Sequence, residues 1–236
     1  MKTLKVLSAL LCYPQPEMQA ALTEMTEALE QENRLPKSAF LALQALIQQM
    51  QCADLMTLQE GYIGLFDRGR ALSLHLFEHV HGQSRDRGQA MVDLLETYRR
   101  HGFELSAREL PDYIPLFLEY LAQRPDDEAL TLLTDAMPIM ALIGARLAER
   151  GSDYHAVFDA LGALVGEPAD IADIRRQAAT EGPDQTVVNM DQIWEEEAVT
   201  FLANREGCGI NDALPGAAQP LQWVPPPGSA PQPART

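Results

Sequence analysis

The chain has 236 residues, of which 46% are hydrophobic, 22% charged and 6% aromatic, enough for one large helical core or for a domain with a tail. With 34 acidic against 18 basic side chains its formal net charge is −16, a field that repels phosphate backbones and anionic lipid surfaces and attracts cationic partners. That balance argues against nucleic acid and against direct membrane insertion. The cysteines at 12, 52 and 208 form no C-x-x-C pair, which excludes a disulfide framework or a zinc-finger pattern and fits the reducing cytoplasm.

The spacing predicts helix almost everywhere. Leu4, Leu7, Leu10 and Leu11 make a first stripe that stops at Pro14, and no small-residue cleavage site follows before Glu17. No run approaches the ~20 apolar residues of a membrane span. Met18, Leu22, Met25 and Leu29 make a second stripe. Phe40, Leu43, Ile47 and Met50 make a third after Pro36, and Leu55, Leu58, Tyr62, Leu65 and Phe66 a fourth that should end near Gly69. Ser84 should cap a helix carrying Met91, Leu94, Leu95 and Tyr98, closed by Gly102. A helix with Leu116, Tyr120 and Leu121 follows Pro111 and Asp112. Asp126 or Asp127 should cap the next one, kinked at Pro138, and Ser152 should begin another containing Tyr154, Phe158 and Leu161. The last strong stripe is Val187, Met190, Trp194, Val199 and Leu202. Beyond Gly207, prolines among Gly, Ala and Gln predict an extended, disordered tail. The expected fold class is all-α: a single compact, bundle-like multi-helix domain over 1–206 with a flexible Pro-rich tail over 207–236.

The segment from Phe66 to Met91 breaks the helical monotony. Between positions 67 and 87, Arg68, Arg70, Arg85 and Arg87 face Asp67, Glu78 and Asp86, a local balance of +1 inside a chain of −16. His75, His79 and His81 lie in the same stretch. Such density suggests a structured loop held by Arg–carboxylate pairs, either a binding surface or merely a fixed helix connection. His79 and His81 with Glu78 or Asp86 also spell a candidate metal set, although H-x-H lacks a third ligand at a recognisable spacing. No nucleophile motif or Lys-Ser/Thr phosphate loop accompanies it, so no catalytic residue is assigned. A second constellation runs from Glu109 to Leu121. Asp112 should cap the helix after it, with Pro115 in the first turn. Tyr113, Phe117, Tyr120 and Leu121 beside Glu109, Asp112 and Glu119 would suit an amphipathic, basic peptide, or pack as core.

These segments together resemble the NarJ-type nitrate reductase molybdenum cofactor assembly chaperones, the delta-subunit family. The resemblance is carried by Phe66-Asp67-Arg68-Gly69-Arg70, by Leu76-Phe77-Glu78-His79-Val80-His81-Gly82, by the run from Ser84 to Leu95, by Glu109-Leu110-Pro111-Asp112 and by Ile193-Trp194-Glu195-Glu196-Glu197. It implies an all-α cytoplasmic chaperone, not an enzyme and without a cofactor or metal of its own. Such a chaperone binds the apo catalytic (alpha) subunit of a nitrate reductase, including its amino-terminal leader-like segment. It supports insertion of the molybdenum cofactor and iron–sulfur cluster before membrane docking, with molybdenum cofactor delivery proteins as further partners. Tyr113 stands where the wider group often has histidine. On this reading Tyr113, Phe117, Glu119 and Tyr120 bind the client leader, and Phe77, Glu78, His79, His81, Arg85 and Arg87 form the groove edge. Asp67, Arg68, Arg70, Asp86, Glu109 and Asp112 are its structural frame. The rival functions are a metal-dependent enzyme built on His79 and His81 and a helical regulatory adaptor.

Overall fold

The computed structural model of the protein describes residues 1–80, 85–105 and 109–182, all within one unit spanning Met1–Asp191. The expected helix around Trp194, the Pro-rich tail and the boundary at 206/207 lie outside the described residues, as do Ser84 and the side chains of His81 and Arg85.

The described residues form helices α1 (Lys2–Leu10), α2 (Pro16–Ala20), α3 (Leu22–Glu32), α4 (Lys37–Cys52), α5 (Leu55–Phe66), α6 (Leu76–Val80), α7 (Arg85–Arg100), α8 (Ile114–Ala122), α9 (Asp126–Glu149), α10 (His155–Val165) and α11 (Ile171–Thr180), with a 3₁₀ turn at Arg70–Leu72. The only β feature among them is an isolated antiparallel bridge between His75 and Tyr113.

The apolar stripes become buried faces. Leu4, Leu7 and Leu10 of α1 are fully buried, as are Leu118 and Leu121 of the α8 helix packed against it. The second stripe is divided by a turn at Ala21 into α2 and α3. Glu32, at the end of α3, accepts hydrogen bonds from the backbone N–H groups of Lys2 (2.8 Å) and Thr3, and from the Thr3 hydroxyl at 2.6 Å. The first turn of α1 thus borrows its cap from another helix. Asp54 caps α5 conventionally, accepting from Thr57 N–H at 3.0 Å.

α9 is the central strut, in contact with α8, α10 and α11. Its 24 residues include an 18-residue window of mean hydropathy 1.4, so it is a longer apolar run than the sequence reading allowed and could cross a bilayer by length and composition. Here Leu133, Met140, Ile143 and Leu147 are wholly buried in the protein core. Pro125, not Asp126, takes the cap position, and the helix continues past Pro138, whose ring lies on the exposed face. At Gly144, a Cβ would lie 2.7 Å from the Phe158 Cβ, so glycine here sets how closely α10 approaches. α10 begins at His155, three residues later than Ser152, and α11 had no counterpart in the sequence reading.

Gly102 closes α7 as expected, with φ of +80°. Its N–H bonds to Arg99 O (2.9 Å) and that of Phe103 to Tyr98 O (3.0 Å), the paired bonds of a glycine-terminated helix. Tyr98 is buried and donates its hydroxyl to Pro111 O at 2.9 Å, tying α7 to the segment that leads into α8.

Candidate functional site

The polar island folds back on the Glu109–Tyr113 segment and frames an open cleft of about 590 Å³. Asp112 is the clasp. It is fully buried, yet it does not cap the helix that follows it, as the sequence suggested; Tyr113 takes that position and makes no side-chain cap bond. The Asp112 carboxylate instead reaches across the chain. Oδ2 accepts from Phe77 N–H at 3.1 Å, in the first turn of α6, and Oδ1 accepts from His75 Nδ1 at 3.2 Å. Backbone bonds from Leu76 N to Asp112 O (3.0 Å) and from Ile114 N to Leu74 O (2.8 Å) flank it. A buried carboxylate thus serves as an N-terminal cap in trans for a five-residue helix. The bond to Asp112 raises the His75 pKa despite the opposing effect of burial.

His79 does the opposite. Burial lowers its pKa, and its Nε2 lies 2.8 Å from Ser73 O, so Nε2 carries the proton and donates. Its other nitrogen faces the Arg146 Nη1 at 3.5 Å. With one nitrogen donating and the other beside a guanidinium, His79 is poorly disposed to hold a metal cation. No cluster of three or more potential metal ligands occurs among the described residues.

Arg146 is the anchor that the sequence reading missed. From α9 it donates to Ala71 O (2.9 Å) and grips Glu181 through Nε at 2.6 Å and Nη2 at 2.7 Å. That fork holds the Glu181 carboxyl below the usual carboxylate range. Glu78 pairs with Arg87 at 3.2 Å; burial pulls its carboxyl upward, but the Ser73 hydroxyl and Arg87 outweigh it and leave it lowered.

The inner wall of the cleft is aromatic. Tyr62 donates its hydroxyl to Leu11 O at 2.9 Å, which leaves its oxygen to accept from Tyr113 at 3.2 Å. Burial pushes the Tyr62 phenol upward and that of Tyr113 up to about 12. Tyr13 stands edge-on to Tyr62, ring centres 5.5 Å apart. Cys12, close by in sequence, is pushed up to about 11 by burial and is a packing group, not a nucleophile.

The expected site residues divide accordingly. Tyr113, Glu78 and Glu109 line the cleft, with Asp67, Arg68 and Arg70 at its mouth. Asp67, Arg68, Arg70 and Asp86 are exposed and make no ion pair among the described residues. Phe117 and Tyr120 are buried at 5% and 3% exposure and do not offer a surface. Tyr120 packs on Tyr98 and bonds His101 Nδ1 at 2.7 Å, while Glu119 of the same helix is exposed away from them. Phe77 packs half-buried against the core and Arg87 buttresses Glu78. Tyr13, Tyr62, Ile63 and His75 were not assigned to the site, because no local motif brings residue 13 to residue 62. A larger groove, about 690 Å³, lies between α4, α9, α10 and α11; Ala and Gly are frequent in its lining, and its charged residues include the pairs His155–Asp159 (2.7 Å) and Arg175–Glu167 (2.5 Å).

Residues 14–160 match the family model described as nitrate reductase delta subunit. The chain belongs to the nitrate reductase delta subunit family. Within this family it is 48% identical over 206 residues to the nitrate reductase molybdenum cofactor assembly chaperone NarJ of Escherichia coli K12, covering 87% of each chain. It is 49% identical over 150 residues to NarW of the same organism, covering 64% of this chain and 65% of that one. Among solved structures, the crystal structure of a redox enzyme maturation protein from Archaeoglobus fulgidus is similar at 21% identity and a TM-score of 0.48, covering 75% of this chain and 93% of that one. Apart from Tyr13, every residue named in the cleft falls inside the span matched by the delta-subunit family.

Proposed function

We propose that this chain is a dedicated assembly chaperone, not an enzyme, for a membrane-bound molybdenum nitrate reductase. It acts in the cytoplasm on the apo catalytic (alpha) subunit. The reading is carried by the 48% identity to E. coli NarJ over 87% of both chains, a likeness too extensive for one shared segment. In this reading the cleft receives the client's amino-terminal segment. Tyr13 and Ile63, each more than a third exposed at its rim, provide apolar contact, while Glu109 and the net charge of −16 favour a basic segment. The bound subunit is held for insertion of the molybdenum cofactor and iron–sulfur cluster, together with cofactor delivery proteins, and membrane docking waits until that is complete.

Calorimetric titration with a synthetic peptide from the amino terminus of a nitrate reductase alpha subunit tests the reading. Saturable binding is expected, absent for a scrambled peptide and weakened by Tyr13→Ala. Equal binding of the native and scrambled peptides would refute the leader as the handle.

A further inference from the structure

We propose that Glu78 is the residue of the cleft that binds a cationic side chain of the client, and that Arg87 occupies it until the client arrives. The inference rests on the client reading above and adds to it a specific residue and a structural consequence. Three carboxylates line the cleft, Asp67, Glu78 and Glu109, against Arg68 and Arg70. Asp67 and Glu109 are exposed, whereas the Glu78 side chain is only 23% exposed. Its carboxylate is therefore already largely withdrawn from water, and the Ser73 hydroxyl bonds to it. Its cationic partner is Arg87, which donates through one guanidinium nitrogen at 3.2 Å. A guanidinium can fork two shorter bonds onto a carboxylate, so this single bond leaves Glu78 open to a better placed cation. Exchanging one cation for another there costs little, because the carboxylate is never left unpaired and a partly exposed pair is weak.

Arg87 belongs to a helix that is held mainly at its far end. Among the described side chains of α7, Tyr98 alone is buried; there it donates to Pro111 O at 2.9 Å and packs on Tyr120. Half-buried Leu94 meets the core about one turn earlier. Towards the amino terminus Gly88, Gln89, Val92 and Asp93 are exposed. Among the described residues, the hydrogen bond that ties this half of α7 to the rest of the fold is Arg87 to Glu78. A client cation that takes Glu78 thus frees Arg87 and, with it, the amino-terminal half of α7. Filling of the cleft is converted into loosening of a helix none of whose described residues lines it.

The test uses the full chain and the synthetic amino-terminal peptide of a nitrate reductase alpha subunit, with calorimetry for affinity and amide hydrogen exchange for α7. Glu78→Gln should weaken the peptide by about fivefold or more, and Arg87→Gln should tighten it by roughly two- to fivefold. In the E78Q/R87Q double variant the gain from losing Arg87 should vanish. Long-range attraction alone would give the same gain in both backgrounds, and that result overturns the proposal. Unchanged or weaker binding by R87Q alone overturns it too. Without peptide, either single variant should speed exchange across residues 85–92 and spare the end of α7 around Tyr98. In the wild type, saturating peptide should produce the same acceleration. Unchanged exchange in the peptide-free variants would overturn the role of Arg87 whether or not the peptide binds. Equal binding of native and scrambled peptides, with the double-variant pattern intact, would remove the leader as the handle but support exchange at Glu78 by any basic segment. Selective binding of the native peptide with that pattern absent would overturn the present proposal alone. A peptide bound by none of the four forms would overturn both.

Discussion

Replacing Asp112 should loosen the whole polar island from the rest of the fold. The carboxylate is fully buried and satisfies two donors, the Phe77 amide at 3.1 Å and the His75 imidazole at 3.2 Å. Asp112→Ala removes the carboxylate acceptor of the Phe77 amide, a loss of about 1–3 kcal/mol, and strips the charge partner from His75. Breaking a buried pair by removing one member costs about 3–5 kcal/mol, but the His75 side chain is 25% exposed and water recovers part of that. The expected loss is therefore roughly 2–4 kcal/mol, with Asp112→Asn milder because the amide oxygen can still accept from Phe77. The pH dependence follows from His75, whose folded pKa is raised above the ordinary value of 6.5. Its contribution to stability is complete below the unfolded pKa and is lost as pH rises through the folded pKa. Urea unfolding of the wild type across that window should show this loss, and Asp112→Asn should abolish it. Equal wild-type and Asp112→Asn stabilities, with the same pH dependence, would refute the clasp.

Glu32→Gln should cost about 1 kcal/mol in urea unfolding by weakening the borrowed cap of α1. Burial raises the Glu32 pKa, but the Thr3 and Lys2 bonds outweigh it and leave it lowered, so this contribution is present above the unfolded pKa and lost as pH falls through the folded one. Arg146→Ala should raise amide hydrogen exchange across residues 70–80 and lower the melting temperature, whereas unchanged exchange would remove Arg146 as the anchor. Gly144→Ala should destabilise by about 1–3 kcal/mol, since the new Cβ meets Phe158 at 2.7 Å. Gly61→Ala and Gly64→Ala in α5 have no atom within 4 Å of the new Cβ and should stabilise by roughly 0.5–1 kcal/mol each; thermal melts of the three variants check the contrast in sign.

The site was legible only in part. The island was visible as a cluster of Arg, His and carboxylate in an acidic chain, and Tyr113, Glu78 and Glu109 do meet at the cleft. Phe117 and Tyr120 were assigned to a groove because aromatic residues beside carboxylates look alike on a surface and in a core. Only tertiary burial distinguishes them: Phe117 and Tyr120 are 5% and 3% exposed, and Tyr120 packs on Tyr98 and bonds His101. Asp112 was misassigned for a related reason. A Pro-Asp pair before a helix is a local cap signal, but a carboxylate donated to a helix 35 residues earlier leaves no mark in the neighbouring sequence.

Helix identity and the buried faces of α1 and α4 were determined by the sequence itself, because a 3.6-residue apolar period is a property of neighbouring residues and must bury one face wherever the helix packs. The closing of α7 at Gly102 was determined in the same way, since the left-handed turn there asks for glycine whatever surrounds it. Tertiary structure alone decided the partners of Asp112, the reach of Arg146 to Ala71 over 75 residues, and the meeting of Tyr13 with Tyr62. Those contacts depend on how helices distant in sequence cross, and the charges and rings involved would read the same in many other arrangements.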